Sequence, residues 1–227
     1  TNAAGTAALG NSFTGVIILN SASNFIGGGS AGEGNIISGN QQAGLAIVSN
    51  ANNNKIQGNY IGSKSDGTGG LGNGNEGVYI SASNNFIGGT NSGEGNLISD
   101  NKTGVWVNNG TGNSVLGNSI ANNTQLGITL GDDTFTPNDG DDADTGANNL
   151  QNFPVFATVS KNGNSLNLTY KVPSSNTNST YPIRVEFFLS DGSGEGKTFL
   201  GVDTYNTPNA DKTISFSPTA TVNIGDK

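Results

Sequence analysis

The chain has 227 residues, of which 11% are charged and 32% hydrophobic, and a net charge of −8. Its nine basic residues are scattered, which excludes a nucleic-acid footprint, and no apolar run reaches the length of a membrane span. With no Cys and no His, disulfides, thiolate chemistry, Ser-His-Asp catalysis and His-ligated metals are excluded as well.

Met is also absent, so Thr1 is not a translation start; the expectation is a removed leader or an excerpt of a longer chain. Gly numbers 36 and Asn is about as frequent. Such a composition borders on disorder, but Ile, Val, Leu and Phe recur at regular spacing, which predicts packed strands.

One passage occurs twice. Asn24-Phe25-Ile26-Gly27-Gly28, a polar turn and Gly32-Glu33-Gly34-Asn35-Ile36-Ile37-Ser38-Gly39-Asn40 return 61 residues later. The second copy reads Asn85-Phe86-Ile87-Gly88-Gly89, a turn, and Gly93-Glu94-Gly95-Asn96-Leu97-Ile98-Ser99-Asp100-Asn101. Internal repetition of this kind marks a stacked repeat fold.

Three strand types recur in fixed order. The first opens with Gly at positions 15, 44, 77, 104 and 127; the second is Asn-x-Ile-x-Gly, opening at Asn24, Asn54, Asn85 and Asn113 (with Val at the Ile position in the last). The third is Asn-x-Ile, opening at Asn35, Asn59, Asn96 and Asn118. The Gly-to-Gly steps of 29, 33, 27 and 23 residues keep the strands constant while the turns vary, as in a solenoid. Three short strands per step predict a triangular parallel β-helix of about four to five coils, roughly 20 Å long. Ile26, Ile36, Ile47, Ile56 and Ile61 are expected to stack inward. Gly and Asn are expected at the corners, where φ is positive, with Asn amides bonded in ladders along the axis.

These strands and corners resemble the right-handed parallel β-helix repeats of large bacterial surface proteins, in which Asn-x-Ile-Ser-Gly-Asn, Gly-Val-x-Ile and Gly-Asn-Tyr-Ile-Gly alternate in this order. The likeness covers about residues 5–130. It implies the fold and an extracellular or cell-surface location, and it leaves activity open, because β-helices host enzymes, adhesins and inert stalks alike.

From Gly131 the pattern stops. Asp132, Asp133, Asp139, Asp141, Asp142 and Asp144 place six carboxylates within residues 132–146. Clustered carboxylates on a Gly-containing turn suit Ca²⁺, and Asp142-x-Asp144-x-Gly146 has the alternating spacing of a calcium loop. No Glu stands at the twelfth position, so it is not an EF-hand. The candidate ligands are Asp139, Asp141, Asp142 and Asp144; the other reading is a solvated linker. The surface proteins carry a similar Asn/Asp-rich stretch and Leu150-Gln151-Asn152-Phe153-Pro154 before a following domain, which implies a structured junction.

Beyond it lie longer alternating strands, expected at 155–160, 165–172, 183–190, 198–205 and 213–216, with a further one at 220–224. Asn162-Gly163 predicts a hairpin between the first two. The expectation is an antiparallel, immunoglobulin-like β-sandwich. The domains are then a β-helix (1–131), an acidic junction loop (132–154) and a sandwich (155–227) that lacks its last strand by comparison with the resembling proteins. Arg184 and Glu186 share one strand face, which predicts a surface ion pair.

Both ends look cut, and open strand edges can pair head to tail. Glu33 and Glu94 occupy equivalent turn positions and are read as corner residues. Tyr79 and Trp106 fall on first-type strands of adjacent coils, pointing outward, and are candidates for glycan or subunit contact. No catalytic residue is assigned. The chain reads as a non-enzymatic, extracellular stalk, adhesin segment or fibre subunit. Its partners would be copies of itself, cell-surface components or a polysaccharide, and the alternative is a carbohydrate-binding or carbohydrate-cleaving β-helix.

Overall fold

The computed structural model describes residues 1–223, 225 and 226. Coil one holds β1 (Val16–Leu19), β2 (Phe25–Gly27) and β3 (Ile36–Ile37); coil two holds β4 (Leu45–Val48), β5 (Lys55–Gln57) and β6 (Tyr60–Ile61). Coil three holds β7 (Glu76–Ser81), β8 (Phe86–Gly88) and β9 (Leu97–Ser99). Coil four holds β10 (Thr103–Asn109), β11 (Ser114–Leu116) and β12 (Ser119–Ala121), and β13 (Ile128–Leu130) opens a fifth. Like pairs with like, in parallel: β1-β4-β7-β10-β13, β2-β5-β8-β11 and β3-β6-β9-β12. The chain is the predicted parallel β-helix, with no α-helix among the described residues.

The register stacks identical positions. Val16, Leu45, Val78, Val105 and Ile128 form one column, and Ile18, Ile47, Ile80, Val107 and Leu130 another. Ile26, Ile56, Ile87 and Val115 form a third. Residues in the middle coils are fully buried while Val16, Ile26 and Val115 at the ends are only partly so. Each coil therefore depends on its neighbours for burial. Ile36 departs from expectation. It aligns with Tyr60 on the outer side of its strand, and Ile37 takes the inward column with Ile61, Ile98 and Ile120. The two adjacent isoleucines point to opposite faces of the strand, and a one-residue offset decides which enters the core.

The corners explain the asparagines. The left-handed residue comes first: Ser23, Asn53 and Asn84 have φ near +60°, as do Gly58 and Gly117. The next residue is the ladder asparagine. Its Oδ1 accepts both the backbone N–H and the Nδ2–H of the asparagine one coil earlier. Asn24, Asn54, Asn85, Asn113 and Asn148 form one such ladder. Asn35, Asn59, Asn96 and Asn118 form a second. The bonds run from 2.8 to 3.3 Å, and Asn54 and Asn85 are fully buried. A third ladder, which the strand pattern does not announce, links Asn11, Asn40, Asn73, Asn101 and Asn123. It also accounts for the Gly that opens each first-type strand. A Cβ on Gly44 would lie 2.7 Å from Asn73 Nδ2 and 2.9 Å from Ile61 Cγ2.

The second unit is an antiparallel sandwich. β14 (Val155–Asn162), β15 (Ser165–Lys171) and β18 (Lys212–Phe216) form one sheet; β16 (Ile183–Ser190) and β17 (Gly196–Tyr205) form the other. The hairpin at Asn162-Gly163 is present, with Asn162 opposite Ser165. Leu166, Leu168 and Tyr170 pack against Val185, Phe187, Leu200 and Tyr205 between the sheets. No strand forms over residues 220–223, and Ile224 lies outside the described residues.

Ile98→Ala, in the middle of a fully buried column, should cost about 2–5 kcal/mol, whereas Phe25→Ala, on the exposed face, should cost under about 0.5 kcal/mol. Denaturant midpoints of the two variants check this.

Candidate metal centre and the junction

After β13 the chain must leave the helix, and the acidic stretch manages the exit. Asp133 turns back onto β10, with an oxygen 3.1 Å from Lys102 Nζ and the other accepting Thr103 Oγ1–H at 3.1 Å. Further on, Asn152, only 4% exposed, organises the loop. Its Oδ1 accepts the Asp139 N–H, and its Nδ2 donates to the carbonyls of Asp139 and Pro173. Its own N–H donates to Asp142 Oδ1 at 2.7 Å, while Ser179 Oγ donates to Asp142 Oδ2 at 2.6 Å.

These contacts gather Asp139, Asp142 and Asp144, which each offer a carboxylate oxygen within 4.8 Å of the others. Asp144 Oδ1 is buried with no hydrogen-bond partner among the described residues. Burial and the repulsion of Asp139 and Asp142 push the Asp144 carboxyl above its ordinary value. Three carboxylates converging on one point, one of them unsatisfied, have the chemistry of a hard-cation cradle. Asp141 is not part of it. Its carboxylate lies outside the group, and its carbonyl accepts from Asn178 Nδ2 and Ser175 Oγ.

The same loop closes the β-helix. Ala147–Leu150 form a short 3₁₀ turn in which Asn148, Asn149 and Leu150 all have left-handed φ. Three successive non-Gly residues in this region are costly and persist only where the surroundings enforce them. Here Ala147 is buried in the helix core, and Asn148 Oδ1 accepts the donors of Asn113, so a loop residue supplies the last rung of one ladder.

The sandwich terminates the other two corners with carboxylates. Glu195, 5% exposed, accepts Asn123 N–H at 2.9 Å on one oxygen and Asn123 Nδ2–H at 3.0 Å on the other. Glu186 Oε2 accepts the Gly117 N–H at 2.8 Å, and Asp191 Oδ2 accepts the Asn122 N–H at 2.8 Å. Lys197 O accepts from Ser119 Oγ. The expected surface pair exists, with Arg184 Nη2 2.8 Å from Glu186 Oε1, but the Glu186 side chain is only 8% exposed and belongs to the domain interface. Nothing in the strand alternation marks Glu186, Asp191 or Glu195 as interface groups. The only clue is that ladder donors running toward the C-terminus must end on an acceptor.

Elsewhere, Glu33 and Glu94 are corner residues: Ser30 and Asn91 donate their N–H groups to them at 2.9 and 3.0 Å. Tyr79 and Trp106 meet edge to face with centroids 5.3 Å apart. Both are partly buried, and the Trp106 indole N–H donates to Gly131 O at 2.7 Å.

A parallel β-helix, closed at its C-terminal end by a loop rung and a β-sandwich, defines the class: a capped β-solenoid. A family model described as periplasmic copper-binding protein (NosD) matches residues 2–135, and the chain belongs to this family. The right-handed parallel β-helix expected from the repeats is the fold of that family. Its periplasmic description places the chain outside the cytoplasm, in keeping with the composition. No helix among the described residues is long and apolar enough to cross a membrane. Neither a curated protein nor a solved structure matched the chain.

Glu195→Ala should cost about 2–4 kcal/mol, because two buried donors of Asn123 lose their acceptor. The acid limb of stability should belong to Asp191. Burial pushes its carboxyl up, but hydrogen bonds from Asn122, Ser193 and Glu195 outweigh this and hold it well below the ordinary 3.8. The stability it contributes is present above that ordinary value and lost as pH falls below it. Glu195 has the opposite sign. Burial raises its carboxyl, so its contribution is present below the ordinary 4.5 and lost as pH rises through the raised value. Unfolding midpoints measured from pH 2 to 6 should fall steeply below about pH 4 in the parent chain and less steeply in Asp191→Asn.

Proposed function

We propose that the chain is a non-enzymatic structural module of the cell exterior: a stalk or adhesin segment whose β-helix is a stiff spacer and whose sandwich caps it. The observation that carries this reading is continuity. Two of the three corner ladders pass without a break into Asn148 and Glu195, and Glu186 takes the Gly117 N–H beside the end of the other. The acids of the interface, Glu186, Asp191 and Glu195, are all engaged in backbone hydrogen bonds there. A stalk is favoured over a head-to-tail fibre built by stacking coils, since the sandwich covers the donor end of the helix.

The family is described as copper-binding. Copper in proteins is held by imidazole, thiolate or thioether ligands, and this sequence has no His, Cys or Met. Its residues do not fit copper. The donor set of Asp139, Asp142 and Asp144 fits a hard divalent cation, and we assign that role to Ca²⁺, which would satisfy Asp144 Oδ1 and relieve the repulsion among the three. At this position Ca²⁺ would tie the loop that closes the helix to the sandwich.

The alternative, a carbohydrate-binding or carbohydrate-cleaving β-helix, would use Tyr79 and Trp106. It has less support, because the indole N–H is already committed and both rings are partly covered.

Ca²⁺ at 100 times its dissociation constant should raise the melting temperature by about 5–10 °C, a chelator should reverse this, and Asp144→Ala should abolish it. A saturable Cu²⁺ response that Asp144→Ala removes would restore copper instead. Electron microscopy of the purified chain should show separate short rods. Ordered filaments with an axial repeat of one subunit would return the fibre reading.

A further inference from the structure

The single arginine of the chain, Arg184 on β16, stands where the sandwich faces a turn of the β-helix and the left-handed turn. It lines two adjoining hollows. One, about 380 Å³, lies against the Gly89–Gly95 turn of the helix; the other, about 270 Å³, lies against the turn that follows Ala147. Arg184 is the residue common to both.

Its guanidinium is held from one side only. Nε and Nη2 both point to Glu186 Oε1, at 2.9 and 2.8 Å, and Glu186 is itself fixed by the Gly117 N–H. A guanidinium has five N–H donors. The rest have no protein acceptor among the described residues, and the side chain is 38% exposed. A cation pinned by a partner that is locked into the fold, with its remaining donors turned to a hollow, is preorganised for a planar anion such as a carboxylate.

The smaller hollow supplies the rest. Its wall carries the amides of Asn149, Gln151 and Asn178 and the hydroxyl of Thr180. The side chains of Asn149, Gln151 and Thr180 make no hydrogen bond within the protein among the described residues, and all three residues are exposed. Asn149 is held in place by the strained left-handed turn, the kind of backbone found at ligand clamps. The one carboxylate on that wall, Asp142, already accepts from Asn152 and Ser179, so it is no competitor for Arg184.

We infer that this junction groove binds an anionic, hydroxyl-rich ligand, a saccharide containing a uronic acid. Arg184 takes the carboxylate, and Asn149, Gln151, Asn178 and Thr180 take the ring hydroxyls. The site lies apart from Tyr79 and Trp106 and does not depend on the stalk reading. A stalk with such a groove would hold acidic polysaccharide at its capped end.

The test is calorimetric titration of the intact chain with digalacturonic acid and with the neutral disaccharide galactobiose, at about 0.1 M salt so that the net charge of −8 is screened. Millimolar or tighter binding of the acidic sugar is expected, with galactobiose at least tenfold weaker. Arg184→Gln should remove that difference, Arg184→Lys should restore part of it, and Trp106→Ala should change nothing. The melting temperature of each variant shows that the junction is intact. Equal binding of the two sugars, no binding of either, or an unchanged affinity in a folded Arg184→Gln would overturn the assignment. So would binding that a chelator and Asp144→Ala abolish while Arg184→Gln leaves it intact, since the cation rather than Arg184 would then hold the carboxylate.

Discussion

Everything in this molecule hangs on an acceptor with two donors. At each corner the backbone leaves the strand ladder, and an N–H turns toward the next coil with no strand partner. The Oδ1 of the next coil's asparagine accepts that N–H and also the Nδ2–H beside it. Burying a side-chain amide without partners is costly. Burying it in a chain of amides, each accepting twice, satisfies the group and fixes the register of the coil at the same time. The apolar columns supply most of the burial, but their residues are interchangeable among Ile, Val and Leu. The ladders supply the specificity.

A ladder of this kind has a direction. Donors point from each coil to the following one, so the first coil is left with idle acceptors and the last with idle donors. Idle acceptors are cheap where water reaches them. Asn24 and Asn35 end their ladders in this way: Asn35 is exposed, Asn24 partly so, and their Oδ1 atoms take no donor among the described residues. Idle donors beside an apolar core are not cheap, and two of the three ladders hand theirs to segments outside the coils. Asn148 repeats the asparagine solution from a loop. Glu195 improves on it, because its two oxygens give each of Asn123's donors an acceptor of its own. Glu186 and Asp191 take the N–H groups of Gly117 and Asn122, the residues just before the last asparagines of the second and third ladders. The sandwich is thus joined to the helix by the bonds that join coil to coil.

The acidic loop follows from the same demand. Asn148 sits over Asn113, at the corner next to the end of β13's sheet, and the chain reaches it by a detour with left-handed residues at Asp141, Asp142, Asn148 and Asn149. That path crowds Asp139, Asp142 and Asp144 together and leaves one oxygen without a partner among the described residues. Membership of a family described as copper-binding does not change the donors this chain offers. They are oxygens, and oxygens select hard cations.

The repeat, the order of the three strand types, the first two ladders and the strands of the sandwich were legible in the residues, since periodicity and corner chemistry are local and repeat themselves. Of the four acids proposed as metal ligands from the sequence, Asp139, Asp142 and Asp144 are gathered by the fold within 4.8 Å of one another. Asp141 shares the acidic spacing, but the folded loop leaves its carboxylate outside that group. The inward place of Ile37 rather than Ile36 turned on a one-residue register that only the stacked coils decide. The third ladder and its carboxylate end, Asn123 with Glu195, join residues 72 apart in the chain. No pattern in either segment predicts that meeting. It exists because a directional ladder needs an acceptor at its end, and only the folded chain determines which residue arrives there.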